Sequence, residues 1–246
     1  MKKYNKVYFL HIPKTGGRFF SKYILNPIAE TLAKNEIEIV KLPTNVDKHG
    51  GWHKDIDEST YIICIFRDPV EFFVSAVTHM AAGEQGLIDE KSDFIVKEKS
   101  KKAQVSKEYL FNSLEELKYM KNFQSQNFFL SPQSRHIVSE SRHFYNEKQD
   151  LDFDLIHKRV SRINLMIRTN DLKTLNYDLL IQKISQDLEI DINIDSSSID
   201  RDYYKNDASQ NLLSKLDNNE IKKIRNNFLF DQKIYNNDLL FWTNFK

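Results

Sequence analysis

The run Tyr61-Ile62-Ile63-Cys64-Ile65-Phe66 constrains the fold most, because it is apolar at every position and rich in β-formers. A strand with one wet face alternates apolar and polar residues. A run without alternation is buried on both faces, as in the interior of a parallel sheet. Arg67-Asp68-Pro69-Val70-Glu71 follows without a linker. Asp68 suits an N-cap, Pro69 the first helical position and Glu71 the third. The pattern predicts a capping box and a helix leaving directly from the strand end.

The N-terminus repeats this order. Lys6 to Leu10 predicts a short buried strand, and His11-Ile12-Pro13-Lys14-Thr15-Gly16-Gly17 a turn. Arg18 to Leu25 predicts a helix, with Phe19, Phe20, Tyr23 and Ile24 apolar and Asn26-Pro27 ending or kinking it. Ile37 to Leu42 is a candidate second strand. Glu84 to Ser106, with Lys97-Glu98-Lys99-Ser100-Lys101-Lys102, reads as a polar insertion or a solvated helix face. Helical patterning resumes from Glu108 to about Leu130. A strand over Leu165 to Arg168 precedes a helix from about Asp171 to Leu188. Ser196-Ser197-Ser198 marks a loop, and helices continue to near Phe245. Alternating strands and helices predict an α/β fold of three layers, a central parallel sheet flanked by helices. The expectation is one domain over 1–246, with the polar insertion near 84–106.

The formal net charge of +1 supplies no global basic field for nucleic acid and no acidic tail. With one cysteine, Cys64, an intrachain disulfide is excluded, and its place in the apolar run marks a buried structural thiol. No run approaches the ~20 apolar residues of a membrane span, and Val7 to Ile12 is too short for a signal peptide's apolar region. The expected setting is cytoplasmic, with no membrane or nucleic-acid partner.

Ligands of parallel sheets bind at the carboxyl ends of the strands, and two of these ends carry anion chemistry. After the first strand, Gly16 and Gly17 let the backbone turn its N–H groups toward a ligand, a helix N-terminus favours an anion, and Lys14 adds a positive charge. This is not a Walker A loop, because the lysine precedes the glycines. The plain alternative is an ordinary strand-to-helix turn. After the central strand, Arg67 and Ser75 pair a guanidinium fork with a hydroxyl, which can hold a second phosphate. The plain alternative there is a surface ion pair and a solvated serine.

Together the two segments resemble the sulfotransferases that use 3′-phosphoadenosine-5′-phosphosulfate (PAPS), especially the carbohydrate group of heparan sulfate 2-O type. Phe9-Leu10-His11-Ile12-Pro13-Lys14-Thr15-Gly16-Gly17 is similar to that family's 5′-phosphosulfate loop. Ile65-Phe66-Arg67-Asp68-Pro69-Val70-Glu71, with Ser75, is similar to its 3′-phosphate motif. Fainter likeness lies in Asn122-Phe123-Gln124-Ser125 and Leu165-Met166-Ile167-Arg168-Thr169. The chain departs from the family at Arg18 and Phe19, where Thr or Ser is usual, and at Phe72, where Arg is frequent.

The resemblance implies a P-loop-kinase-like sheet and transfer of a sulfuryl group from PAPS to a hydroxyl, with a carbohydrate as the expected acceptor and PAP as product. It assigns Lys14 to the bridging oxygen and the 5′-phosphate. Thr15, Gly16, Gly17, Arg18 and Phe19 form the rest of the phosphosulfate loop, and Arg67 with Ser75 holds the 3′-phosphate. No metal is required.

The family keeps its base on a histidine between the motifs, often beside glycine. In Lys48-His49-Gly50-Gly51-Trp52-His53 this points to His49, with His53 in reserve. Both can instead be plain loop residues. A metal pair is disfavoured, because Gly50-Gly51 opposes a helix and no H-E-x-x-H pattern is present. His11, inside the first motif, reads as a structural residue or as one that supports the site from behind. Trp52 fits stacking on a sugar or adenine, or half-buried packing. Ser134-Arg135-His136 and Ser141-Arg142-His143 repeat at seven residues and read as a solvated basic face, with a surface that attracts an anionic glycan as the alternative. Two rivals stand beside the sulfotransferase: an ATP-dependent small-molecule kinase or other phosphate-transfer protein, and a nucleotide-binding protein without chemistry.

Overall fold

Strand β3 (Thr60–Phe66) is buried at every position, as its unbroken apolar run requires. In the computed structural model, which describes residues 3–40, 51–84, 88–89, 94–95, 105–119, 131–138, 153–199 and 207–242, it is an inner strand of a four-stranded parallel sheet. β1 is Lys6–Leu10, β2 Glu38–Ile39 and β6 Leu165–Arg168, and the order is β2-β1-β3-β6. β1 and β3 run in register from Lys6 opposite Thr60 to Leu10 opposite Cys64, and Phe66 faces Arg168 of β6.

The two-residue period of the strands divides their side chains between two cores. Tyr8, Leu10, Ile62, Cys64, Phe66 and Met166 pack on one face with α3 (Pro69–Glu84), α4 (Lys107–Tyr119), α5 (Pro132–Val138), α6 (Phe153–Val160), α8 (Asp207–Ser214), α9 (Asn218–Arg225) and α10 (Leu229–Tyr235). Val7, Tyr61, Ile63, Ile65, Leu165 and Ile167 pack on the other with α1 (Gly17–Phe20), α2 (Asn26–Lys34) and α7 (Tyr177–Leu188). The fold is mixed α/β with helices on both faces. Cys64 is fully buried, which pushes its thiol above the ordinary range, as a structural role demands.

Several local expectations are corrected. Pro27 does not end its helix. α1 runs into a π-helical turn over Ser21–Leu25 and on into α2 with right-handed dihedrals throughout, and the Asn26 amide donates to the Ser21 carbonyl. The wider turn just before the proline accommodates a ring that a regular α turn would crowd. The helix expected over 171–188 is broken. A 3-10 turn at Asp171–Lys173 precedes α7, and Asn176 caps α7 by accepting from the Asp178 and Leu179 amides. Ser196–Ser198 forms a short 3-10 turn rather than an open loop.

Within the polar stretch, β4 (Ile88–Asp89) and β5 (Phe94–Ile95) pair antiparallel, so this part is not a helix face. Residues 41–42, the remainder of the expected helix over 120–130, and 243–246 lie outside the described residues. Among the described residues no helix is long and apolar enough to cross a membrane.

Candidate functional site

β1, β3 and β6 end side by side, and the residues that follow them are tied into one structure. Lys14 and Gly16 both adopt left-handed backbone, at φ 62° and 92°. Glycine does so freely, whereas for lysine the conformation costs roughly 1–2 kcal/mol. Bonds from three directions hold it. The buried Thr15 hydroxyl donates to the Ile12 carbonyl at 2.8 Å. Arg67 Nη1 donates to the Lys14 carbonyl at 2.9 Å, and Thr169 Oγ1 to the Thr15 carbonyl at 2.7 Å.

Gly16 is needed for its backbone. Gly17 answers a steric demand, since a Cβ there would lie 2.0 Å from Cδ2 of His11. The His11 ring is buried and stacked on Phe9 with centroids 5.4 Å apart. The buried, stacked ring gives Gly17 an internal reason to be glycine.

The helix begins at Gly17, so the amides of Gly17, Arg18 and Phe19 precede the first helical carbonyl partner and are oriented for an anion. The Phe20 amide is the first to close, donating to the Gly16 carbonyl at 3.1 Å. The Phe19 ring is buried between Tyr23 and Tyr177. Phe19 can therefore meet a ligand through its amide alone. Arg18 is partly buried.

Arg67 is the node of the site. Besides Lys14 it reaches Glu71 Oε2 through Nε at 3.3 Å. These bonds use two of the five guanidinium N–H groups. Burial lowers the Arg67 pKa, and the Glu71 carboxylate opposes that shift. Asp68 caps α3 as expected, accepting from the Val70 and Glu71 amides at 2.9 and 3.1 Å. The capping box stays half-closed, because the Glu71 carboxylate turns to Arg67 and to Asn170 Nδ2, 2.8 Å from Oε1. Ser75 lies in the second turn of α3 and is buried, not solvated.

Three contributors were not singled out from sequence, Asn170, Gln133 and Asp231, and Thr169 stood there only as the last residue of the Leu165 to Thr169 segment. Gln133 holds the Arg67 backbone from both sides, accepting from its amide and donating to its carbonyl, each at 2.8 Å. Asp231 in turn accepts from the Gln133 amide at 3.2 Å and the Ser134 amide at 2.8 Å. Its spacing from Phe228 and Ile234 put an acid on an apolar helix stripe, which was the available signal. After β6, Asp171 carries a buried Oδ2 with no hydrogen-bond partner among the described residues, and burial raises its pKa. The half-buried Tyr235 phenol is pushed up to about 12 by burial and by the nearby Asp68 and Glu71 carboxylates.

The histidine segment is only partly in view. His49 lies outside the described residues, as do 122–125 and 141–143. His53 is half-buried, with Nδ1 3.4 Å from an Asp55 carboxylate oxygen. The neighbouring Gly51 carbonyl accepts from the Tyr8 hydroxyl at 2.5 Å, which fastens this segment to β1. Trp52 packs against the core, and the Arg159 guanidinium sits 5.0 Å over its ring. That face is occupied, so the packing reading holds there. Ser134 and His136 are buried where a solvated basic face was expected. The buried Asp231 carboxylate accepts from the amides at the start of α5, which satisfies the Ser134 backbone and hydroxyl there.

No family model matches the chain, and no curated protein or solved structure shows significant similarity to it.

Proposed function

We propose that this chain is a PAPS-dependent O-sulfotransferase with a P-loop-kinase-like sheet, acting on a hydroxyl of a carbohydrate. The observation that carries the reading is the 2.9 Å bond from Arg67 Nη1 to the Lys14 carbonyl, which joins two anion-binding strand ends. A ligand with one phosphate group needs only one of them. A nucleotide phosphorylated at both 3′ and 5′ uses both. The left-handed backbone at Lys14 adds support, because strained residues held in place by their surroundings cluster at ligand sites.

In this reading the 5′-phosphosulfate lies on the amides of Gly17, Arg18 and Phe19, with Thr15 and Gly16 shaping the turn. The 3′-phosphate takes the remaining Arg67 donors and the Ser75 hydroxyl. The acceptor oxygen forms a bond to sulfur as the bond from sulfur to the bridging oxygen breaks. The electron pair stays with the departing PAP, where Lys14 offsets the new charge. The acceptor's proton passes to a histidine, His49 by its place in the sequence or His53 in reserve. Such a transfer depends on positioning and preorganised charge. The lone buried Cys64 fits a reducing, cytoplasmic setting.

A thermal-shift panel of PAP, PAPS, ATP and NAD tests the reading, since a specific ligand raises apparent stability with its concentration. Shifts with PAP and PAPS that exceed those with ATP and NAD support it. A shift with ATP alone, dependent on Mg²⁺, replaces it with a kinase.

A further inference from the structure

We propose that Asp231 and Gln133 form a buried clamp that fixes Arg67 at the end of β3 and thereby sets recognition of a 3′-phosphate. The functional half of this inference rests on the sulfotransferase reading. β3 stops at Phe66, so the amide and carbonyl of Arg67 lie beyond the last rung of the sheet. The Gln133 side chain replaces the missing rung, with both bonds at 2.8 Å. A carboxamide carries one acceptor and one donor group in the same arrangement as a peptide, so it can mimic a neighbouring strand.

Gln133 is itself fully buried and held from behind. Asp231, also fully buried, accepts from the Gln133 amide through Oδ2 and from the Ser134 amide and hydroxyl through Oδ1. The chain of contacts therefore runs from α10 through the start of α5 to the strand end. It bridges 98 residues from Asp231 to Gln133 and 66 from Gln133 to Arg67. With its backbone pinned, the Arg67 side chain leaves the sheet from a fixed origin toward Lys14 and Glu71. Asp231 and Gln133 are positioning residues, since neither reaches the Lys14 loop through any of these bonds.

The test combines backbone hydrogen exchange at Arg67 with calorimetric affinities for PAP and 5′-AMP, in wild type, Gln133→Ala, Gln133→Glu and Asp231→Asn. Gln133→Ala should speed Arg67 amide exchange by about tenfold or more, leave Ile63 to Phe66 protected, and reduce the PAP-to-AMP affinity ratio by about tenfold. Gln133→Glu supplies a readout that a merely structural role would not move. Its protonated carboxyl can reproduce both bonds, whereas the ionised form sets an anionic oxygen against the Arg67 carbonyl. Relative to wild type at each pH, its ratio should recover as the pH falls through the range where a buried carboxyl takes up a proton. Unchanged Arg67 exchange in Gln133→Ala overturns the clamp. Faster exchange with an unchanged ratio overturns its link to the phosphate. If wild type itself binds PAP and 5′-AMP equally, the sulfotransferase reading fails and the link to the phosphate with it. Arg67 exchange then still decides whether the clamp exists.

Discussion

Replacing Gly17 by alanine tests the geometry of the loop after β1 through one pair of residues. The new Cβ would stand 2.0 Å from Cδ2, 2.1 Å from Nε2 and 2.9 Å from Cγ of His11, against the ~3.5–4.0 Å of a comfortable carbon contact. The ring must move by more than an ångström, yet it is buried and stacked on Phe9. Overpacking of this kind costs about 1–3 kcal/mol. Gly17 has helical backbone, so alanine also regains about 0.4–1 kcal/mol by restricting the unfolded chain. The net loss should be about 1–2 kcal/mol, read by urea denaturation. In a His11→Ala background the clash is gone, and Gly17→Ala should become neutral or stabilising, a coupling of about 2 kcal/mol. A Gly17→Ala protein as stable as wild type, or one whose loss persists without His11, refutes the packing argument.

Lys14→Ala should lower kcat by about two orders of magnitude or more in PAPS turnover while weakening PAP less, because in the proposed transfer its charge acts on the departing nucleotide; a change confined to KM makes Lys14 a binding residue. His49→Ala should lower kcat by about 10²–10⁴-fold with PAP affinity unchanged. The reverse result with His53→Ala moves the base to His53, and silence at both directs attention to the partly buried Asp171 carboxylate. Asp231 titrates at about 6 rather than 3.8, chiefly because burial disfavours its charge, against the bonds from Ser134 and Gln133. Its raised pKa means stabilisation that is fully present below pH ~4 and lost as the pH rises through about 6, worth about 3 kcal/mol. Across that window the stability of Asp231→Asn should improve relative to wild type by about that amount, and parallel curves would contradict the assignment.

The sequence made the local parts of the site legible because their signals are local. An unbroken apolar run announced β3, and Asp68-Pro69 announced the start of α3, both as found. Gly16 and Lys14 marked the loop at the end of β1. What stayed hidden depends on residues distant along the chain. Glu71 was read as closing a capping box, but Asn170, 99 positions away, and Arg67 claim its carboxylate. Thr169 secures Thr15 across 154 residues, and no periodicity encodes that bond. Ser134 and His136 looked solvated because a pattern of polar residues does not reveal their burial, nor that Asp231, 97 positions on, accepts from Ser134. Pro27 misled for a different reason. Propensity treats proline as a terminator, while here a π-helical turn absorbs it and the helix continues, with Phe20, Ile24 and Ile28 in one core with the sheet.

The central claim is that Lys14 and Arg67 serve two phosphates of one nucleotide. Isothermal titration of PAP and 5′-AMP into wild type and Arg67→Ala tests it most directly. PAP should bind wild type at least about tenfold more tightly than 5′-AMP, as a charge-assisted bond to a second phosphate provides. Arg67→Ala should remove most of that difference while retaining 5′-AMP affinity. Equal affinities for PAP and 5′-AMP in wild type would contradict the account.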